Sequence, residues 1–293
     1  DLISRYPRPM LCCIGDLVED VVVWPSSEPV RGTDTASRVF RQRGGSAATV
    51  AVYAATVGTA ARFVGQVGDD RLGTMLVAEM EAAGVDVKVK RAGTTGSIVV
   101  LVDQTGERTM LPDRGAATEL HSLPNNALDG VTWLHVPAYS LVVEPLGATS
   151  LTAIQACQAS GVPISIDASS VGPLTEYGVG RFLDLMTTVG PDVFLCNRDE
   201  ATLLGIDDHS SLSGAQLTVV KSGAKPVVLI DATGATDTVS VPPVASVTDT
   251  TGAGDSFAAG FIAARLAGAA PVVAAEAGCA LAATVLVRPG AGK

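Results

Sequence analysis

The chain has 293 residues, 47% of them hydrophobic, enough to bury a large core as one big domain or as a domain with an appendage. Its formal charge of −10 gives no basic surface for nucleic acid or an anionic membrane, so neither partner is expected. An anionic small substrate would need a pocket that is locally rich in donors.

Residues 10–15 form a short apolar strand ending in glycine, and residues 45–56 are small and helically spaced. A strand follows at 62–65, then a helix at 74–83 closed by Gly84. The second half alternates in the same way: strand 132–136, helix 151–160, strand 163–167, helix 180–187, strand 193–196, two strands at 216–221 and 227–230, and a helix at 255–267. Strands separated by helical segments imply parallel pairing with helices on both faces, a three-layer α/β/α architecture. Residues 18–24 and 36–42, and residues 97–103 and 107–111 around Gln104-Thr105-Gly106, break the rhythm as two hairpins. They read as a small β-sheet lid formed by segments 16–42 and 96–112 of a single domain spanning 1–293; an ordinary sheet edge is the plainer alternative. Residues 269–287 are apolar but contain Pro271, Glu276 and Gly278, so a buried helix followed by a strand is expected there rather than a membrane span.

Cys12, Cys13, Cys157, Cys196 and Cys279 show no metal-ligand spacing. With no basic-then-apolar leader in view, buried reduced thiols in a cytoplasmic protein are expected.

The stretch Asp249-Thr250-Thr251-Gly252-Ala253-Gly254-Asp255-Ser256-Phe257 says most about chemistry. A helix opening with Gly252-Ala253-Gly254 presents unpaired N–H donors and the positive end of its dipole to an anion. Asp255 sits beside them as a candidate general base, a set suited to moving a phosphoryl group onto a hydroxyl. Capping and dipole stabilisation of roughly 0.5–2 kcal/mol would explain a lone Gly-Ala-Gly-Asp equally well. At the end of the first strand stand Asp16, Glu19 and Asp20, carboxylates that can accept two hydroxyl hydrogen bonds from a polyol. Gly44-Gly45 precedes a helix and allows close backbone approach, to a substrate or simply in a tight turn. Asn197 and Glu200 have the spacing of a helix capping box.

The segment from Asp249 to Gly260 closely resembles the signature of the ribokinase-like (PfkB) carbohydrate kinases. Gly44-Gly45-Ser46-Ala47-Ala48-Thr49-Val50-Ala51, continued by Phe63 to Gly73, is similar to that family's other signature. The resemblance runs over nearly the whole chain and implies a Rossmann-like ribokinase fold with a β-sheet lid. It further implies ATP-dependent phosphorylation of a sugar or sugar-like hydroxyl with Mg2+, and with K+ in many relatives. Asp255 would take the hydroxyl proton, and the N–H groups of Gly252, Ala253 and Gly254 would stabilise the transferring oxygens. Asp16, Asp20, Gly44, Gly45 and Thr49 would hold the acceptor. Asn197, Glu200, Lys221 and Gly223 would lie at the nucleotide, with Glu200 meeting magnesium through water; Asp249 and Thr251 would hold a monovalent cation.

Two positions depart from the pattern. Thr49 stands where the family usually has Asn, and so lacks the amide's donor–acceptor pair. Pro226 stands where Gly is common. Arg108 and Arg114, on or near the lid hairpin, could contact substrate or phosphate, but a solvated surface position is the first reading for each. A helix N-terminus is expected to lower the Asp255 pKa and make it a weak base. A nucleoside acceptor, or a non-catalytic sugar-binding regulator, remain alternatives to a sugar kinase. The lid's exposed edge suits pairing with a second copy as a homodimer.

Overall fold

The computed structural model describes residues 9–244 and 250–287. In chain order, β1 is Met10–Ile14, β2 Val18–Pro25, β3 Ser37–Gly44, α1 Ser46–Thr56, β4 Ala60–Val67, α2 Arg71–Ala82 and β5 Asp86–Arg91. Then come β6 Thr95–Val102, β7 Arg108–Gly115, β8 Trp133–Pro137, α3 Leu146–Ala159, β9 Ile164–Asp167, α4 Val171–Tyr177 and α5 Val179–Val189. The chain continues through β10 Val193–Asn197, α6 Arg198–Leu203, β11 Leu217–Ser222, β12 Lys225–Asp231, β13 Thr236–Val239, α7 Ala253–Leu266 and α8 Pro271–Leu286.

Nine strands form the central sheet in the order β13-β12-β11-β10-β9-β8-β1-β4-β5. From β11 to β5 every pairing is parallel, as helical crossovers require, while β12 and β13 are added by antiparallel turns. The inner strands are apolar on both faces and split the core in two. Ile14, Val136, Ile166 and Phe194 pack against α3 and α5 on one side. Phe63, Trp133, Leu195 and Val219 pack against α1, α2, α7 and α8 on the other. This is the three-layer arrangement of a buried parallel sheet.

The second sheet has the order β3-β2-β6-β7. Its two hairpins join through a parallel pairing of β2 with β6, Glu19 opposite Ser97. The strands run a few residues past the expected limits, so β3 reaches Gly44 and β7 reaches Gly115. That extension brings residues 43–44 and 113–115 down to the central sheet.

One expectation fails. Residues 269–287 contain no strand, and Pro271–Leu286 is a single helix with Pro at its start. Gly278 is a packing point rather than a break: a side chain there would lie 2.8 Å from the Phe257 carbonyl of α7. None of the helices among the described residues is long and apolar enough to cross a membrane.

Candidate active site

In a parallel sheet the strand ends that follow the chain direction share one edge, and ligands bind there. At that edge β1 delivers Asp16, the turn after β8 delivers Tyr139, β9 ends in Asp167, β10 in Asn197, and β11 carries Lys221 next to its last residue. The N-termini of α1 and α7 meet over these strand ends.

Gly252 is in the left-handed conformation, with φ of 74°, and caps α7. This conformation is cheap only without a Cβ. Ala253 N–H already donates to the Thr250 carbonyl at 3.2 Å, so of the three expected donors this one is engaged within its own turn. Thr251 is half-buried in the same turn; Asp249 lies outside the described residues.

Asp255, in the first turn of α7, accepts a hydrogen bond from Ser46 Oγ at 2.6 Å. Its pKa is raised to about 6, contrary to the lowering expected from a helix N-terminus. Loss of hydration is the largest cause, and the Asp167 charge adds to it; the Ser46 hydrogen bond, Lys221 and Arg43 pull the other way. The sequence shows the helix start but not the enclosure, and enclosure wins.

Lys221 Nζ lies 2.6 Å from Asp167 Oδ2, with the side chains 15% and 9% exposed. Burial alone would lower the ammonium pKa, but Asp167, joined by Glu200, more than reverses this, so the lysine stays charged. The Nζ lies 3.5 Å from where a Cβ on Gly254 would sit, so a cation faces the opening of α7. Glycine at 254 leaves the space between them free for an anion.

Asn197 and Glu200 do form the capping box. Asn197 Oδ1 accepts from Glu200 N at 2.9 Å, and Glu200 Oε2 accepts from Asn197 N at 2.7 Å. Glu200 is buried, and its pKa rises to about 7, first through burial and then through Asp167. Gly223 lies at the exposed β11–β12 turn with φ of 61°. Lys225 is also exposed.

Near the start of α1 Asp20 is half-buried, and its pKa is raised to about 6 by burial against the pull of Arg43, Gln42 and Arg108. Glu19 instead turns to the opposite face of β2 and pairs with Arg41 at 2.5 Å. A side chain on Gly44 would collide with the Asp20 carboxylate, and one on Gly45, where φ is 99°, with the Asp16 carbonyl. The glycine pair therefore makes room for the Asp20 carboxylate and the Asp16 backbone. Thr49 is buried, and its Oγ1 accepts from Arg43 Nη1 at 3.4 Å.

Arg114 is not a solvated surface residue. Its Nη1 donates to Asp16 Oδ2 at 2.8 Å, and its guanidinium stacks 4.1 Å from the Tyr139 ring centroid. Asp16 Oδ1 is buried with no hydrogen-bond partner among the described residues, a free acceptor beside the arginine. Sequence reasoning missed Asp167, Tyr139 and Arg43 altogether. The signal for Asp167 was a carboxylate at the last position of a buried strand; the other two depended on long-range packing. His135 is also buried near Lys221, but burial takes its pKa down to about 4, so it is a neutral ring bonded to Ser165. Two open recesses, one of about 610 Å3 on the second sheet and one of about 600 Å3 between its end and β4, contain none of these residues.

The pfkB family carbohydrate kinase profile matches residues 8–293. A fructokinase of Klebsiella pneumoniae is 31% identical over 268 residues, covering 85% of this chain and 82% of its own length. A ribokinase of Bacillus subtilis is 27% identical over 267 residues, covering 86% and 84%. Among solved structures, an adenosine kinase from Sinorhizobium meliloti superposes with a TM-score of 0.84 at 22% identity, covering 98% of this chain and 96% of that one, which speaks for the fold. With both signatures in place over a matching fold, the chain belongs to the pfkB family of carbohydrate kinases.

Proposed function

We propose that this kinase transfers the γ-phosphoryl group of ATP to a hydroxyl of a sugar or sugar-like acceptor, with Asp255 as general base. One observation carries the reading: the Asp255 carboxylate feels Lys221 at the opening of α7, shares Arg43 with Asp20, and shares Tyr139 with Asp16 and Arg114. Lys221 faces the start of α7, and Arg114 is bonded to Asp16. The acceptor hydroxyl gives its proton to Asp255 as its oxygen bonds to the γ-phosphorus. The bond to the β-phosphate oxygen breaks and ADP leaves. A pKa of about 6 keeps Asp255 ionised at neutral pH yet more basic than a free aspartate. Gly252 and Gly254 N–H groups, with Lys221, meet charge on the transferring oxygens.

Magnesium would supply neutralisation of the phosphates. The residues fit an ion held mostly by phosphate and water: Glu200 keeps lone pairs beyond its two bonds to Asn197, and no cluster of three His, Cys, Asp or Glu forms a cage among the described residues. Asn197, Glu200 and Gly223 sit where the nucleotide would lie. Asp249 and the turn holding Thr251 are the proposed monovalent cation site, and K+ is the expected ion. Asp16, Asp20 and Thr49, with backbone space from Gly44 and Gly45, form the acceptor pocket. The second sheet contributes Asp20 and Arg114 to it and acts as its lid. Exposed Val39 and Phe40 on β3, with Met110 and Leu111 on β7, support a homodimer through that lid. Five buried free thiols support a cytoplasmic location.

The test is ADP release from Mg–ATP against sugars, sugar acids, polyols and nucleosides, with and without K+, for the wild type and Asp255→Asn. Turnover that depends on Asp255 and on one acceptor class is expected. Equal turnover by Asp255→Asn refutes the assignment, and silence with retained ligand binding favours a non-catalytic binder.

A further inference from the structure

Ser46 is the first residue of α1, directly after Gly45, and it is held in place by the buried run Ala47, Ala48, Thr49, Val50 and Ala51. Its hydroxyl donates to Asp255 Oδ1 at 2.6 Å across 209 positions of sequence. The same carboxylate is faced by Lys221 of β11, Asp167 of β9 and Arg43 of β3. Tyr139 and Cys13 of β1 lie within reach of its charge. None of these charges fixes the plane of the carboxylate, because a charge acts over distance while a hydrogen bond selects one oxygen and one direction. An aspartate carboxyl rotates broadly about its last torsion, so an unheld base spends much of its time facing away from the acceptor.

We propose that Ser46 is the positioning residue of the general base: its hydroxyl clamps Oδ1 so that Oδ2 is turned to the acceptor hydroxyl. The assignment rests on the reading of Asp255 as base. It also gives the α1 N-terminus a task that the backbone approach of Gly44-Gly45 does not perform. That approach is spent on Asp20 and Asp16, whereas the next residue reaches over to the phosphate half of the site. The rival arrangement is that the Ser46 hydroxyl stands where the acceptor hydroxyl will sit and is displaced by it. The two differ in kinetics, since a clamp acts on kcat and a placeholder acts on acceptor binding.

The experiment compares wild type, Ser46→Ala, Ser46→Thr and Asp255→Asn. It measures kcat and both KM values from about pH 5 to about pH 9, and follows the Asp255 carboxyl by carbon NMR in aspartate-labelled protein, assigned through Asp255→Asn. Ser46→Ala should lower kcat about 10- to 100-fold with KM for ATP unchanged. Its acid limb should rise by about one pH unit, because a hydrogen bond favouring the ionised carboxylate is gone, and the NMR titration should rise with it. Ser46→Thr, which keeps the hydroxyl, should restore most of both. Wild-type kcat in Ser46→Ala with a lower acceptor KM would overturn the clamp in favour of the placeholder. An unmoved Asp255 titration would overturn it outright. If the wild type is silent with every acceptor, the kinase reading fails, while the carboxyl titration still decides whether Ser46 holds Asp255.

Discussion

Asp167→Asn leaves Lys221 in place and removes its partner. At 2.6 Å the direct attraction is about 6 kcal/mol for an effective dielectric of about 20. Drying both ions takes back most of that, so the pair adds little net stability over two apolar side chains. Breaking the pair is a different matter. The variant strands an ammonium, 15% exposed in its side chain, beside the positive end of α7. The cost should be about 3 kcal/mol, at the low end for buried pairs because both groups keep some water. A chain of this size should then melt about 6 °C lower. Lys221→Met should cost somewhat less, since Asp167 Oδ1 still accepts from Ser169 N–H at 2.9 Å. The double variant should regain more than half of the summed loss, because neither charge is then left alone. Urea unfolding and calorimetric melting of the four proteins measure the cycle. The same substitution also changes the pH response. Asp167 is what lifts Lys221 above its ordinary value against burial, so in Asp167→Asn the ammonium loses its proton at lower pH. Activity should fall off sooner on the alkaline side. A variant melting with the wild type, or a double variant as unstable as the sum of the two singles, would refute the claim that Asp167 holds a buried charge in readiness.

Asp255→Asn should lower kcat by about 10²- to 10⁴-fold while stabilising the fold at alkaline pH. The folded pKa, about 6, is above the ordinary carboxylate value, so folding favours the protonated form. Its penalty is absent below about pH 4 and complete above about pH 6, which predicts a gain of about 1–2 kcal/mol at pH 8 and none at pH 4 in unfolding curves. Wild-type kcat/KM should rise with pH through about 6 as Asp255 ionises; a flat profile there speaks against Asp255 as base. Arg114→Ala should raise acceptor KM about tenfold or more and leave KM for ATP alone, since it strips Asp16 of its cation on the acceptor side. Equal effects on both substrates would refute that placement. Gly45→Ala combines a left-handed φ with overlap onto the Asp16 carbonyl, so loss of soluble protein or about 3 kcal/mol in unfolding is expected. A well-folded Ala variant would contradict the close approach.

Much of the fold could be read from the chain because its strands are apolar runs with glycine or polar stops, and its crossovers are long enough to force parallel pairing. What escaped was short or two-sided. β5, with the sequence DVKVKR, alternates charge at a sheet edge, and β13 is four mostly exposed residues, so neither shows the run of a buried strand. Near the end of α8, Val285, followed by Val287 just after it, reads as a strand former, yet small residues against α7 outweigh β-branched preference. In the site, Asp255, Asp20 and the Asn197–Glu200 box were visible as local spacing. Arg114 was not, because its place depends on Thr95 pairing with Gly115 and on Tyr139 arriving from after β8. The direction of the Asp255 pKa was misread for the same reason: dipoles are written in local sequence, burial is not.

The sheet order has a consequence for synthesis. β1 is flanked by β4 and β8, and the proposed base arrives only with α7, 209 residues after the serine bonded to it. On the proposed assignment, a chain leaving the ribosome from its N-terminus can assemble the acceptor pocket early, but it owns no proton acceptor and no closed phosphate opening until α7 has been made and docked. On that assignment nascent and truncated chains would turn over no nucleotide, and competence would switch on in one late step, when the two helix starts come together.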